Sequence, residues 1–293
     1  MNVSMMPIRP RQRLERREAW LIGAAGLLLL LALFVPDLAG HGAGLGSNLA
    51  DIRTLAGLPN AMDVLSNLPF LLVGLLGLYR LHGLEHAHEH GHQGASPPFV
   101  HDELPVNALD CAWLFFAGLV LVAAGSAFYH LQPDDAVRLT GDRAAMAVAF
   151  AGVIGLAVCD RVSQRAGWPA ACVALTAGLL AVAIFQETGN VMPWAVVQFG
   201  GMALVLAMAF MRPVPSATRT MRLKLGWLVA CYALAKVCEM ADGAIFEATQ
   251  QLISGHSLKH MVAALAALPV LQAVRSLGQD TLMHNAPATV VTA

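Results

Sequence analysis

The chain has 293 residues, 57% of them hydrophobic and 13% charged, whereas an ordinary soluble domain carries about 25% charged residues. That balance argues against a water-soluble fold. The formal net charge is −1 and the basic residues sit in short clusters between apolar runs, so no field gathers nucleic acid and no nucleic-acid partner is expected.

A bilayer core about 30 Å thick needs about 20 apolar residues per helix, because unpaired backbone groups cannot face lipid. Residues 1–18 form a basic N-terminus holding Arg9, Arg11, Arg13, Arg16 and Arg17. The first apolar segment, 19–35, reads as an extra N-terminal span or signal anchor. A signal peptide would share its basic start and leucine-rich run, but no clear Ala-x-Ala site follows. Seven further spans are predicted at 62–81, 108–130, 142–160, 168–186, 192–211, 224–245 and 256–275. Loop chemistry separates them: Pro36-Asp37, the Gly/His/Pro stretch 83–105, Pro133 to Asp135, Arg161 to Pro169, Glu187 to Pro193, Arg212 to Lys224, and Ser254-Gly255. The expected fold class is all-α: a polytopic membrane helical bundle with a seven-transmembrane core at 60–276, one extra N-terminal span, and a cytoplasmic tail at 277–293.

Short cytoplasmic loops hold the excess of Arg and Lys. The five N-terminal arginines place the first residues inside. Alternation then puts Arg161/Arg165, Arg212/Arg219/Arg222/Lys224 and the tail after Arg275 inside as well. The loops at 36–61, 131–141, 187–191 and 246–255 fall outside, and Arg53 and Arg138 are their only basic residues.

Ser126 and His130 close the third span at i, i+4 and therefore share a helix face. Asp142 opens the fourth span, and His256 and His260, again i, i+4, open the eighth. Two imidazoles one turn apart can grip one metal ion. The topology places all five residues at the outer membrane face, although they are far apart in sequence. Three histidines and an open fourth position are the ligand set of a catalytic zinc site. Asp142 would act as general base, and Ser126 would hydrogen-bond the substrate oxygen or a water at the metal, or else orient a ligand.

The order Ser-x3-His, then Asp, then His-x3-His across seven spans resembles the alkaline ceramidases and the wider superfamily that includes adiponectin-type receptors and hemolysin III-like proteins. The ceramidase branch is the closer match, through Ser66-Asn67, Gly125-Ser126 with His130, Asp142 with Met146, and His256 with His260. The resemblance covers residues from about 60 to 275. It implies that His130, His256 and His260 bind Zn2+, that Asp142 activates water, and that Ser126 stands beside a scissile amide. The eukaryotic ceramidases carry an acidic calcium-binding segment ahead of the first core span. This chain has only Asp51, Asn60 and Asp63 there, which speaks against calcium. Ser-Leu-Lys follows His256 where the animal enzymes have aromatic residues, so the substrate pocket is expected to differ.

Other polar residues have plainer readings. Lys236, Glu239 and Asp242 share a face of the seventh span; Lys236 and Glu239 are expected to pair, and Asp242 to accept a hydrogen bond from a ligating histidine. Asp63, Ser66 and Asn67 suit hydrogen bonding between helices. The segment from Glu85 to His92 reads as a solvated cytoplasmic loop. Cys111, Cys159, Cys172, Cys231 and Cys238 show no CxxC pair and read as small packing residues.

The sequence thus points to a zinc-dependent amide hydrolase acting on a membrane lipid, a ceramide-like N-acyl sphingoid, with a fatty acid and an amine as products. A divalent-metal transporter would need coordinating motifs in mid-membrane helices, which these spans lack. A receptor-like member of the superfamily would carry the same ligands. Abundant Arg, Ala and Leu hint at a bacterial source, in which case the membrane is the inner one and the site faces the periplasm.

Overall fold

Long runs of Ala, Leu, Val and Gly that cannot turn to water for their backbone hydrogen bonds must satisfy them within a helix. The computed structural model, which describes residues 14–37, 49–91, 104–215 and 221–284, follows that rule. Its helices are α1 (Arg16–Phe34), α2 (Ala61–Leu65), α3 (Leu68–Gly91), α4 (Val106–His130), α5 (Ala136–Arg161), α6 (Gln164–Thr188), α7 (Met192–Ala195), α8 (Gly201–Ala209), α9 (Leu225–Met240), α10 (Asp242–Ala248), α11 (Gly255–Leu265) and α12 (Leu268–His284). A π-helical turn, Val196–Gly200, joins α7 to α8. Among the described residues, the sole β-type pairing is the isolated bridge between Leu55 and Leu58. The chain is an all-α polytopic membrane bundle.

Among the described residues, seven helical stretches are long and apolar enough to cross a membrane: Arg16–Phe34, Ala61–His88, Val106–His130, Ala136–Arg161, Gln164–Thr188, Met192–Ala209 and Gly255–Gly278. The expected span at 224–245 differs. It breaks at Ala241 into α9 and α10, and the 16 residues of α9 rise only about 24 Å. The break lies beside Asp242, whose carboxylate accepts hydrogen bonds from the backbone of Ala50 and His256.

Two further boundaries shift. The segment expected as a loop from residue 83 continues α3 to Gly91, with Glu85 accepting a hydrogen bond from Trp113 at 2.8 Å; His92 lies outside the described residues. α12 runs to His284, into the expected tail, and residues 285–293 lie outside the description.

α5 is the axis of the bundle: 67% of its apolar window is buried, against 6% for α1. Small residues allow this. A Cβ on Gly118 of α4 would sit 2.5 Å from the Ala149 nitrogen, and one on Gly152 of α5 would sit 2.5 Å from the Phe115 nitrogen. Close backbone approach through small residues is how membrane helices pack without a hydrophobic drive between them. α1 leans on the outside, Leu28 against Gly200 of the π-helical turn. Its start is fixed by polar contacts: Glu18 accepts from Ser163 and Arg165, and Arg17 donates to the Arg161 and Arg212 carbonyls. Those contacts lie at the arginine-rich end of the bundle, and the histidines lie at the other.

Of the five cysteines, all free, Cys172 is exposed on α6 and the other four are buried.

Candidate metal centre

The site is assembled where α4 ends, α5 begins and α11 begins. Asp135 caps α5, accepting from the Val137 and Arg138 amides at 2.8 and 3.2 Å. The helix therefore starts six residues before Asp142 rather than at it. Asp142 lies almost two turns inside α5, level with Ser126 one turn before the end of α4. Ser126 and Asp142 line the same cavity.

The first turn of α11 leaves backbone N–H groups without helical partners, and three side chains answer them or hold the turn. Ser254 accepts from the Ser257 amide at 3.0 Å, and Asp242 accepts from the His256 amide at 2.7 Å. Asp63 of α2 accepts from the hydroxyls of Ser257 at 2.7 Å and Ser254 at 3.3 Å. Gly255 is required at this point: a Cβ there would fall 2.2 Å from the Cys238 carbonyl oxygen and 2.7 Å from the Asp242 Cα. Carboxylates at a helix N-terminus also meet the positive end of its dipole.

This scaffold brings His130, His256 and His260 together. One ligand atom from each lies within 4.8 Å of the others, and among the described residues this is the single set of three His, Cys, Asp or Glu side chains that could hold a metal ion. His130 and His260 are buried and His256 is half-buried. Ring centroids are 4.8, 4.9 and 5.1 Å apart. The Nε2 atoms of His130 and His256 are separated by 3.2 Å. That spacing matches the edge, about 3.3 Å, of a tetrahedron built on metal–nitrogen bonds of about 2.0–2.1 Å.

Orientation comes from behind the rings. Ser66 Oγ donates to the Asp63 carbonyl at 2.9 Å and lies 2.8 Å from His260 Nδ1. A hydroxyl has one proton to give, so Ser66 accepts from Nδ1–H. The His260 Nε2 lone pair is then free to face the other two rings. Asn60 donates to the His130 carbonyl at 2.9 Å, satisfying the end of α4.

All five residues expected at the site line one cavity of about 560 Å³. Its wall is largely apolar, with Phe150, Val153, Met202 and Leu228 among its members. Its polar end adds Lys259, whose Nζ lies 3.0 Å from His256 Nε2 and 3.0 Å from Glu239 Oε1. Lys236 pairs with the other oxygen of Glu239 at 2.5 Å, as the sequence led us to expect. Asp242 departs from expectation: its carboxylate accepts from the backbone amides of His256 and Ala50 and, among the described residues, from no histidine ring.

The contacts of Ser66 with His260 and of Lys259 with His256 are not expected from the sequence, which reads Ser66 as a residue for hydrogen bonding between helices. The signal for Ser66 was its place one turn after Asp63 on an otherwise apolar span; Lys259 carried none beyond being a charge inside a span.

The three side chains in the region of the calcium segment have protein partners. Asp51 is engaged by Arg53, Asn60 by His130, and Asp63 by two serines.

No protein-family model matches the chain, and no curated protein matches it.

Proposed function

We propose that the chain is a zinc-dependent amide hydrolase acting on a membrane lipid, with a ceramide-like N-acyl sphingoid as substrate class and a fatty acid and an amine base as products. One observation carries the reading: a three-histidine group stands at the polar end of a largely apolar cavity that Asp142 and Ser126 also line. The order of these motifs, which resembles that of the alkaline ceramidases, supports it.

The donor set suits zinc: three neutral imidazoles with Nε2 atoms turned inward, one of them fixed in its tautomer by Ser66. Bound there, zinc supplies polarisation of a carbonyl and acidification of water. The protein's own groups do the rest. Asp142 accepts a proton from the water that attacks the amide carbon and returns it to the departing nitrogen as the C–N bond breaks. Ser126, on the same cavity wall, hydrogen-bonds the substrate oxygen beside the scissile amide. Phe150, Val153, Met202 and Leu228 hold the acyl chain out of water, and a cavity of this size falls within the roughly 300–1,000 Å³ of small-molecule sites. In a bacterial inner membrane the site would face the periplasm.

The test is to purify the protein, determine its metal by elemental analysis, and assay fatty-acid release from ceramides and related N-acyl lipids beside His256→Ala and Asp142→Ala. The expected result is one zinc per chain and lipid-amide hydrolysis, both lost in His256→Ala. Zinc-free wild type would sink the metal assignment. Zinc without hydrolysis of any N-acyl lipid would move the assignment to a receptor-like role, and zinc uptake into vesicles that survives loss of His130 would move it to a transporter.

A further inference from the structure

The lipid-amide reading accounts for the histidines and the apolar wall but gives no task to Arg143. This residue follows Asp142 on α5 and lines the same cavity, yet it is only 7% exposed. Its guanidinium lies over the Phe185 ring of α6, 4.1 Å from the centroid, and its Nη1 is buried with no hydrogen-bond partner. A buried cation with an unanswered donor destabilises a protein unless a ligand answers it.

Two of the three carboxylates on the wall, Asp242 and Glu239, already have partners. Asp242 accepts from two backbone amides, and Asp142 directly precedes Arg143 on α5. Glu239 is shared between Lys236 and Lys259, so two ammonium groups face one carboxylate. The charges on the wall balance, Asp142, Glu239 and Asp242 against Arg143, Lys236 and Lys259, so what points to an anion is the unanswered Arg143 donor itself.

We propose that Arg143 binds an anionic group, a carboxylate or a phosphate, carried by the amine half of the lipid amide, so that acidic N-acyl lipids are preferred over neutral ones. The inference rests on the lipid-amide reading for the acyl part of the ligand. Arginine suits the task because its planar fork meets carboxylate or phosphate through two parallel N–H···O bonds, and the Phe185 ring fixes the plane of that fork.

Binding is to be measured on the full chain in neutral detergent after metal removal by chelation, by isothermal titration. The probes share one acyl chain: N-dodecanoylglycine, N-dodecanoyl-O-phosphoethanolamine, dodecanoic acid and neutral N-dodecanoylethanolamine. At least one acidic amide is expected to bind ten-fold or more tightly than the neutral amide, and Arg143→Gln to erase that preference. Equal binding of neutral and acidic amides, or a preference intact in Arg143→Gln, overturns the proposal. Arg143-dependent binding of dodecanoate as tight as that of the acidic amides also overturns it, in favour of a site for the released acid. Should Arg143→Gln fail to fold, the wild-type ranking and Arg143→Lys decide: a reduced preference supports the proposal and a full one overturns it. Because the readout is binding to metal-free protein, it is independent of zinc content and of turnover. A failure of the hydrolase assignment and a failure of this one are therefore told apart.

Discussion

An imidazole can offer a metal only the nitrogen that carries no proton, and for His260 the choice is made by Ser66, 2.8 Å from Nδ1. Removing such a partner typically costs 10–100-fold in metal affinity. Ser66→Ala should therefore weaken zinc in a chelator competition by about that factor. An unchanged affinity would assign Ser66 to helix packing alone. Asp142→Asn tests a different property. It keeps the shape of the wall and the three histidines, so zinc should stay at the wild-type level while lipid-amide hydrolysis falls by about 10²–10⁴-fold; retained turnover would remove Asp142 from the proton transfers. The pairs Ser126/His130 and His256/His260 were legible in the sequence because i, i+4 spacing is a local property of any helix. Ser66 was legible as a residue for hydrogen bonding between helices but not as the partner of His260, since that pairing depends on how α2 and α11 meet.

At the scale of the element, the first turn of α11 decides whether His256 and His260 point the right way. Asp63 holds it through the hydroxyls of Ser254 and Ser257. Asp63→Ala removes both bonds, each worth about 0.5–1.5 kcal/mol, so a loss of roughly 1–3 kcal/mol is expected from thermal unfolding in detergent. A melting curve that does not move would show that the turn is held by Asp242 and Gly255 alone. The loop before α2 has its own tie. Arg53 donates to both Asp51 oxygens and holds that carboxyl below the usual aspartate range. A folded value below the unfolded one stabilises the fold above the ordinary aspartate pKa of about 3.9, and the stabilisation is lost as pH falls through the folded value. Wild type should therefore lose more thermal stability than Asp51→Asn between pH 7 and pH 3; equal losses would show that the pair contributes nothing. Hydropathy did not reveal the breaks at Ser66-Asn67, Ala241 and Ala266-Ala267. A window of some 20 residues averages over two, and the breaks are made by Pro69 and Pro269, which lack an N–H, and by the backbone contacts of Asp242.

For the whole molecule, composition and the run of apolar segments were enough to expect a helical membrane bundle, because lipid leaves the backbone no other solution. What they could not convey is which helix is central. α5 is no more apolar than its neighbours, with the same mean hydropathy of 1.7 as the peripheral α1. It occupies the middle because its Ala and Gly residues let α4 and α6 approach, a matter of side-chain size rather than polarity. The cavity follows from that arrangement, since it opens between α5 and the helices α7, α8 and α9 that stand off from it. Met202 of α8 lies on its apolar wall, where a larger side chain would displace part of a long acyl chain without touching the histidines. Burying one methylene is worth about 0.8 kcal/mol, and a ten-fold rate change is about 1.4 kcal/mol. Excluding two methylenes is thus enough to register. Met202→Trp should lower kcat/KM for a sixteen-carbon N-acyl substrate about ten-fold more than for a six-carbon one, with zinc content unchanged. An equal loss on both chains would mean that the acyl group does not run along α8, and the lipid would then have to enter the site from another side of the bundle.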